Sequence, residues 1–191
     1  EKRNILKMTF VFFAGISVAF QAVPGAMYMF SLKFSGLCVA SVFILILGVI
    51  DDIKPLRAKL KFFVQIIAAS ILIACGFVVE EITIPFLGKI SLGFLGIIFS
   101  ILWIVGITNA INLLDGLDGL AAGSAAINLF CFSIILYLTG QYPLGLLAIS
   151  LIASCVAFLP YNFQTRKIFL GEAGSTFLGF ILAGIGLGGN W

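Results

Sequence analysis

The chain has 191 residues, of which 62% are hydrophobic and only 10% charged, with a net charge of +3 and no histidine. Soluble domains run at roughly 45–50% apolar and about 25% charged, so a soluble globular domain is excluded, and so thin a charge balance gives no footing for nucleic-acid binding. Apolar stretches close to the ~20 residues needed to cross a bilayer recur along nearly the whole length, which makes this an all-α polytopic membrane protein.

Taken in chain order, the apolar runs predict about seven transmembrane helices, over residues 8–30, 35–50, 60–78, 92–108, 120–138, 143–160 and 173–190. Between them lie "SLKF", "DDIKPLRAKLK", "EEITIPFLGKIS", "TNAINLLDGLDG", "TGQY" and "YNFQTRKIFLGE". The third of these alternates β-branched residues around Pro85 and Gly88 and predicts a short extracytoplasmic β-hairpin near 80–91. One membrane domain over residues 1–191 is expected, with no cleavable signal pattern, as part of a longer protein truncated at both ends. Cys38, Cys75, Cys131 and Cys155 all sit inside apolar runs without a CxxC pair, and read as small apolar residues, not as metal ligands or disulfides.

Counting crossings assigns the N-terminus and the loops at 51–59, 109–119 and 161–172 to one side of the membrane. Those segments carry Lys2, Arg3, Lys7, Lys54, Arg57, Lys59, Lys61, Arg166 and Lys167, nine of the eleven basic residues. By the positive-inside rule that side is cytoplasmic. Six of the eight acids, Glu1, Asp51, Asp52, Asp115, Asp118 and Glu172, fall there too. Acids contribute little to orientation, so they need a reason of their own.

Three clusters supply one. Adjacent Asp51 and Asp52 close an apolar span; on a helix their side chains diverge by about 100°, which lets them hold different partners. Lys61 and Gln65, four apart, share a helix face near the membrane boundary, where Lys61 either snorkels as an anchor or reaches a phosphate. Gln65, one turn deeper, serves either a helix–helix hydrogen bond or a site. In the second cluster, "NAINLLDGLDGLAAG", Gly116 and Gly119 interrupt helical continuity around Asp115 and Asp118, and Asn112 and Asp115 lie three apart. In the third, Gly171 and Gly174 flank Glu172 just before the last span. That position is near a helix N-terminus whose free N–H groups favour phosphate or another anion. Arg166 and Lys167 are either phosphate contacts or positive-inside anchors. Carboxylates beside an anion site call for Mg²⁺, which is held by one or two carboxylates plus substrate phosphates. Without His or clustered Cys, zinc does not fit. Three such loops on one face describe a cytoplasmic site for a metal-bound diphosphate.

The stretches "DDIKPLRAKLKFFVQ", "NAINLLDGLDGLAAG" and "YNFQTRKIFLGEAGSTFLGF" closely resemble the three signature regions of the polyprenyl-phosphate N-acetylhexosamine-1-phosphate transferases. That family includes enzymes that begin O-antigen, enterobacterial common antigen and teichoic acid synthesis, and the phospho-N-acetylmuramoyl-pentapeptide transferase. Order and spacing agree over about residues 36–190. The resemblance implies a multi-pass protein of the bacterial inner (plasma) membrane with a cytoplasmic active site. There a UDP-amino sugar meets undecaprenyl phosphate, UMP leaves, and a lipid-diphosphate-sugar remains. It implies Mg²⁺ as cofactor, with Mn²⁺ as a substitute. Carried over by motif, Asp51 and Asp52 are the paired catalytic acids near the attacking lipid phosphate. Asn112 and Glu172 are the metal-holding pair, Lys61 contacts the nucleotide diphosphate, Asp118 lies on the uracil side, and Asp115 and Asn162 line the site.

Two departures stand out. The family has Asp where this chain has Glu172, a shift of over about an ångström, on the scale at which misplacement costs about a hundredfold. The family also carries a His-containing cytoplasmic loop downstream of the last motif, and no histidine occurs here. The short interval from Asp52 to "LRAKLKFFVQ" is more like the N-acetylglucosamine-1-phosphate transferases than the muramoyl-pentapeptide enzyme. A catalytically inactive relative and a membrane transporter are the readings of another class; the acids sit at span ends on one side without an internal repeat, unlike the midplane sites of transporters. Gly184 and Gly188 permit close helix packing, either within the bundle or in a homodimer.

Overall fold

The computed structural model describes residues 32–84, 88–163 and 168–189. In chain order it contains α1 (Leu32–Ile53), α2 (Ala58–Ala74), β1 (Glu81–Ile84), β2 (Gly88–Ser91), α3 (Phe94–Leu114), α4 (Leu120–Leu138), α5 (Tyr142–Phe163) and α6 (Gly171–Gly188). The architecture is mostly helical because apolar segments placed in lipid must satisfy every backbone N–H and C=O internally. Pro160 is tolerated near the end of α5.

Each expected apolar run among the described residues is helical, and five of these helices are long and apolar enough to cross a membrane. The protein is therefore multi-pass. The expected run over 60–78 ends early: α2 has 17 residues, about 26 Å of rise, and is not one of the five. The expected span at 8–30 lies outside the described residues, as do Arg166 and Lys167. The hairpin is present. β1 and β2 are antiparallel with Glu81 opposite Ser91 and Ile84 opposite Gly88, and the Leu92 amide donates to the Glu80 carbonyl at their open end, 2.9 Å.

α6 is the hub. Every residue from Ser175 to Ile185 on it is buried, and 72% of its span is covered against 33–50% for the other candidate spans. A helix buried all round belongs in the middle of a bundle. α1 and α3 flank it, α2 bridges α1 and α3, and α4 touches α6 while pairing along its length with α5. Phe63, Leu102 and Ile127 on the surrounding helices face outward, as side chains bathed in hydrocarbon do.

Two close crossings set the helix positions. A Cβ on Gly48 would lie 2.3 Å from the Ala173 Cα, and one on Gly179 would lie 2.8 Å from the Thr108 Cα. Asp51 follows Gly48 by one turn on α1, and Asn112 follows Thr108 by one turn on α3, so both crossings aim polar side chains at the start of α6. Gly184 and Gly188 are also used internally: a Cβ there would strike Leu37 and Phe77 respectively. These glycines therefore offer no face to a second copy.

Candidate functional site at the membrane boundary

The alternation of helices brings the α1–α2, α3–α4 and α5–α6 junctions to one end of the bundle. Asp51 and Asp52 end α1, and they diverge as a helical pair should. Asp51, buried, accepts the Leu56 amide on Oδ1 at 2.6 Å and the Lys61 ammonium on Oδ2 at 2.7 Å. Asp52 turns to α6, where its Oδ1 accepts the Glu172 amide at 2.9 Å and its Oδ2 the Ala173 amide at 3.1 Å.

Of the two kinds of anion expected at the α6 N-terminus, phosphate or another, the structure shows another, a side-chain carboxylate. The first amides of α6 and the positive end of its dipole already hold an anion, the Asp52 carboxylate, supplied across the bundle by α1. Gly171 makes the contact possible. Its φ of +71° is left-handed backbone, and a Cβ there would lie 3.0 Å from the Asp52 carboxylate.

Glu172 is the point on which the helices converge. Its Oε2 accepts Lys61 Nζ from α2 at 3.1 Å and Asn112 Nδ2 from α3 at 3.0 Å. Asn112 Nδ2 also donates to Ser175 Oγ at 2.9 Å, and that hydroxyl donates to the Gly171 carbonyl at 2.7 Å. Lys61 thus bridges two carboxylates, Asp51 and Glu172. One turn deeper, Asn109 Nδ2 donates to Gln65 Oε1 at 2.7 Å, so Gln65 makes a helix–helix hydrogen bond.

The second loop joins this cluster through Asp115, which follows α3. Burial pushes its carboxyl up to about 6. The negative charge of Glu172 adds to the rise, with smaller contributions from Asp52 and Asp118, and the Gly171 amide partly offsets it. Asp118 lies farther round. With Leu117, Gly119, Ser124, Asn128 and Phe163 it lines a groove of about 500 Å³ where α4 begins and α5 ends. Asn162 is a buried latch between two loops: its Oδ1 accepts the Gly119 amide at 2.6 Å and its Nδ2 donates to the Ile168 carbonyl at 2.9 Å.

All eight sequence-predicted site residues therefore lie at one end of the bundle. Asp51, Asp52, Lys61, Asn112, Asp115 and Glu172 form one cluster, while Asp118 and Asn162 are displaced towards α4 and α5. Ser175 escaped sequence reasoning, since a serine in a run of small residues carries no signal of its own; its place three residues after Glu172 is the clue.

Among the described residues no group of three or more His, Cys, Asp or Glu side chains forms a metal cage. The donors suit a hard cation that draws its remaining ligands from water and substrate: the Glu172 carboxylate and the Asn112 amide oxygen, on neighbouring helices, are oxygen ligands of the kind Mg²⁺ takes. Asn112 presents its nitrogen to Glu172 here, so joint coordination requires its amide to turn over.

Fold and site together define a multi-pass membrane protein that gathers acids, amides and one lysine at one end of its helices. Residues 34–190 match glycosyl transferase family 4, and the chain belongs to that family. It is 40% identical over 152 residues to the probable undecaprenyl-phosphate N-acetylglucosaminyl 1-phosphate transferase of Bacillus subtilis, an alignment covering 79% of this chain and 42% of that protein. It is 39% identical over 137 residues to the phospho-N-acetylmuramoyl-pentapeptide-transferase of Lactiplantibacillus plantarum, covering 70% and 43%. To the decaprenyl-phosphate N-acetylglucosaminephosphotransferase of Mycobacterium leprae it is 38% identical over 168 residues, covering 82% and 42%. The chain spans less than half the length of these relatives.

Proposed function

We propose that the protein transfers an N-acetylhexosamine 1-phosphate, N-acetylglucosamine 1-phosphate in the first instance, from a UDP-sugar to undecaprenyl phosphate, as the first membrane step of a bacterial cell-envelope polysaccharide. An oxygen of the lipid phosphate attacks the sugar-bound phosphorus of the donor, the bond from that phosphorus to the bridging oxygen breaks, and UMP leaves. The site faces the cytoplasm at the plasma membrane, and the apolar runs of the whole sequence would give about seven crossings. The observation that carries the reading is the meeting of Lys61 and Asn112 on one oxygen of Glu172, within the three motifs that define the family resemblance.

Phosphoryl transfer depends mostly on positioning and on neutralising phosphate charge. Among the described residues of the cluster, Asp51, Asp52, Asp115 and Glu172 face one lysine, Lys61, so a bound cation would offset the charge that two phosphorylated substrates add. Glu172 and Asn112 would hold Mg²⁺, which when bound neutralises the diphosphate and polarises the phosphorus. Lys61 exchanges one of its carboxylate partners for a diphosphate oxygen. Asp51 orients Lys61, with the lipid phosphate as its neighbour. A phosphate monoester is largely dianionic at neutral pH, its second pKa being near 6, so the nucleophile needs placing more than deprotonating. Asp52 contributes by fixing the start of α6. Asp118 and the groove beside it serve the uridine side, and Asn162 holds that loop in place.

The muramoyl-pentapeptide donor is the second reading, favoured by the Lactiplantibacillus plantarum relative. Transfer of label from UDP-N-acetylglucosamine or UDP-MurNAc-pentapeptide into extractable lipid, by the full-length protein, tests both.

A further inference from the structure

We infer that Gln65 and Asn109 form a buried cross-brace whose job is to register α2 against α3, so that Lys61 and Asn112 meet on the same oxygen of Glu172. The inference rests on the transferase reading for its effect on rate, and on geometry alone for its effect on Lys61.

Gln65 is 1% exposed, on a helix otherwise lined by alanine and leucine where it is buried. Its Oε1 accepts Asn109 Nδ2 at 2.7 Å, and the same nitrogen donates back to the Val105 carbonyl at 2.7 Å. Both protons of the Asn109 amide nitrogen are thus committed, which fixes the plane of the donor. The pair sits directly beneath the site. Gln65 follows Lys61 by four residues on α2, and Asn109 precedes Asn112 by three on α3, so each amide lies about one helical turn from the site residue of its own helix.

Lys61 and Asn112 approach Glu172 Oε2 at 3.1 and 3.0 Å. Side chains stand about 5–6 Å from a helix axis, so turning α2 by about 10° carries the Lys61 head group by roughly 1 Å. That is enough to break one of two hydrogen bonds and, in a transfer reaction, to cost about a hundredfold. Polar side chains hydrogen-bond across membrane helices and add a directional constraint to packing, and this amide pair supplies one between α2 and α3. Gln65 and Asn109 are therefore positioning residues.

The experiment uses the full-length protein in nanodiscs with three variants: Gln65→Met, which keeps the length and removes the acceptor; Asn109→Leu; and the exchange Gln65→Asn with Asn109→Gln, which preserves the combined length of the bridge. Two readouts are taken. The first is site-resolved acylation of lysines by an activated ester, read by mass spectrometry. Lys61 labelling rises by about fivefold or more in both single variants, Lys54 and Lys59 stay at the parental rate, and the exchange restores Lys61 protection. The second is turnover per folded molecule: kcat falls about ten- to a hundredfold, KM for the UDP-sugar moves less than about threefold, and the exchange recovers most of kcat. Unchanged Lys61 labelling, or a rise shared by all lysines, overturns the brace. If the parental protein makes no product but Lys61 labelling responds as stated, the brace stands and the transferase reading falls.

Discussion

Asp52 on α1 caps α6 by accepting the backbone amide of Glu172 at 2.9 Å, 120 residues away in the chain. The acid that closes one span thereby sets where the next site residue begins. A second oxygen of the same carboxylate takes the Ala173 amide, so the cap spends the whole charged group on the helix terminus.

Removing this cap has a graded effect. Loss of an N-cap acceptor costs about 0.5–2 kcal/mol, so Asp52→Ala lowers the melting temperature in detergent and Asp52→Asn, which keeps one acceptor oxygen, lowers it less. Turnover follows the same order, with at least a tenfold loss for Ala. Full thermal stability in both variants alongside abolished turnover would show that Asp52 acts in the reaction itself and not through the cap.

The α1–α6 crossing at Gly48 is equally testable. Gly48→Ala places a methyl 2.3 Å from the Ala173 Cα, and backbone cannot swing away as a side chain can. Overpacking of this kind costs about 1–3 kcal/mol. Because Asp51 and Asp52 follow within one turn, the variant loses stability and turnover together, whereas Gly106→Ala, which meets nothing within 4 Å and replaces a helix-interior glycine, lowers neither.

Asp115 gives the site a pH dependence. Its carboxyl is raised from 3.8 to about 6 by burial first and then by Glu172, so the folded protein binds a proton there more tightly than the unfolded chain does. The stabilisation is fully present below about pH 3.8 and is lost as pH rises through about 6. Melting temperature, followed without divalent cation, therefore falls from pH 5 to pH 7 by an amount that Asp115→Asn abolishes. An unchanged slope in the variant would show that another group titrates.

Metal removal separates the two functions of Glu172. Glu172→Gln keeps an acceptor for Asn112 and loses the charge that pairs with Lys61, so the protein stays folded while turnover falls by about a hundredfold or more. The expected Mg²⁺ requirement appears as loss of product formation on chelation, with recovery on adding Mg²⁺ or Mn²⁺. Turnover indifferent to chelation would remove the metal from the mechanism.

Much of this architecture was legible in the sequence because hydrophobic length is a direct physical requirement of the bilayer. The runs that became α1 and α3 to α6 stand out as apolar stretches, and the hairpin as β-branched alternation beside Pro85 and Gly88. The divergence of Asp51 and Asp52 followed from helical geometry alone. What could not be read was long-range. The central place of α6 depends on crossings at Gly48 and Gly179, which look like any other glycine in a membrane helix. The anion at the α6 N-terminus turned out to be Asp52, and Lys61 turned out to be shared between Asp51 and Glu172. Each of these pairings joins different helices, and nothing in spacing along the chain encodes it. The 17-residue α2 ends before its apolar run does, since the chain turns at Cys75 and Gly76 to enter the hairpin.

The most direct test of the central claim is UMP release by the full-length protein, supplied with Mg²⁺, undecaprenyl phosphate and either UDP-N-acetylglucosamine or UDP-MurNAc-pentapeptide. The account predicts UMP from UDP-N-acetylglucosamine, dependent on the lipid phosphate and sharply reduced in Asp51→Asn. No UMP from either donor, in the parental protein and after Glu172→Asp, would contradict it.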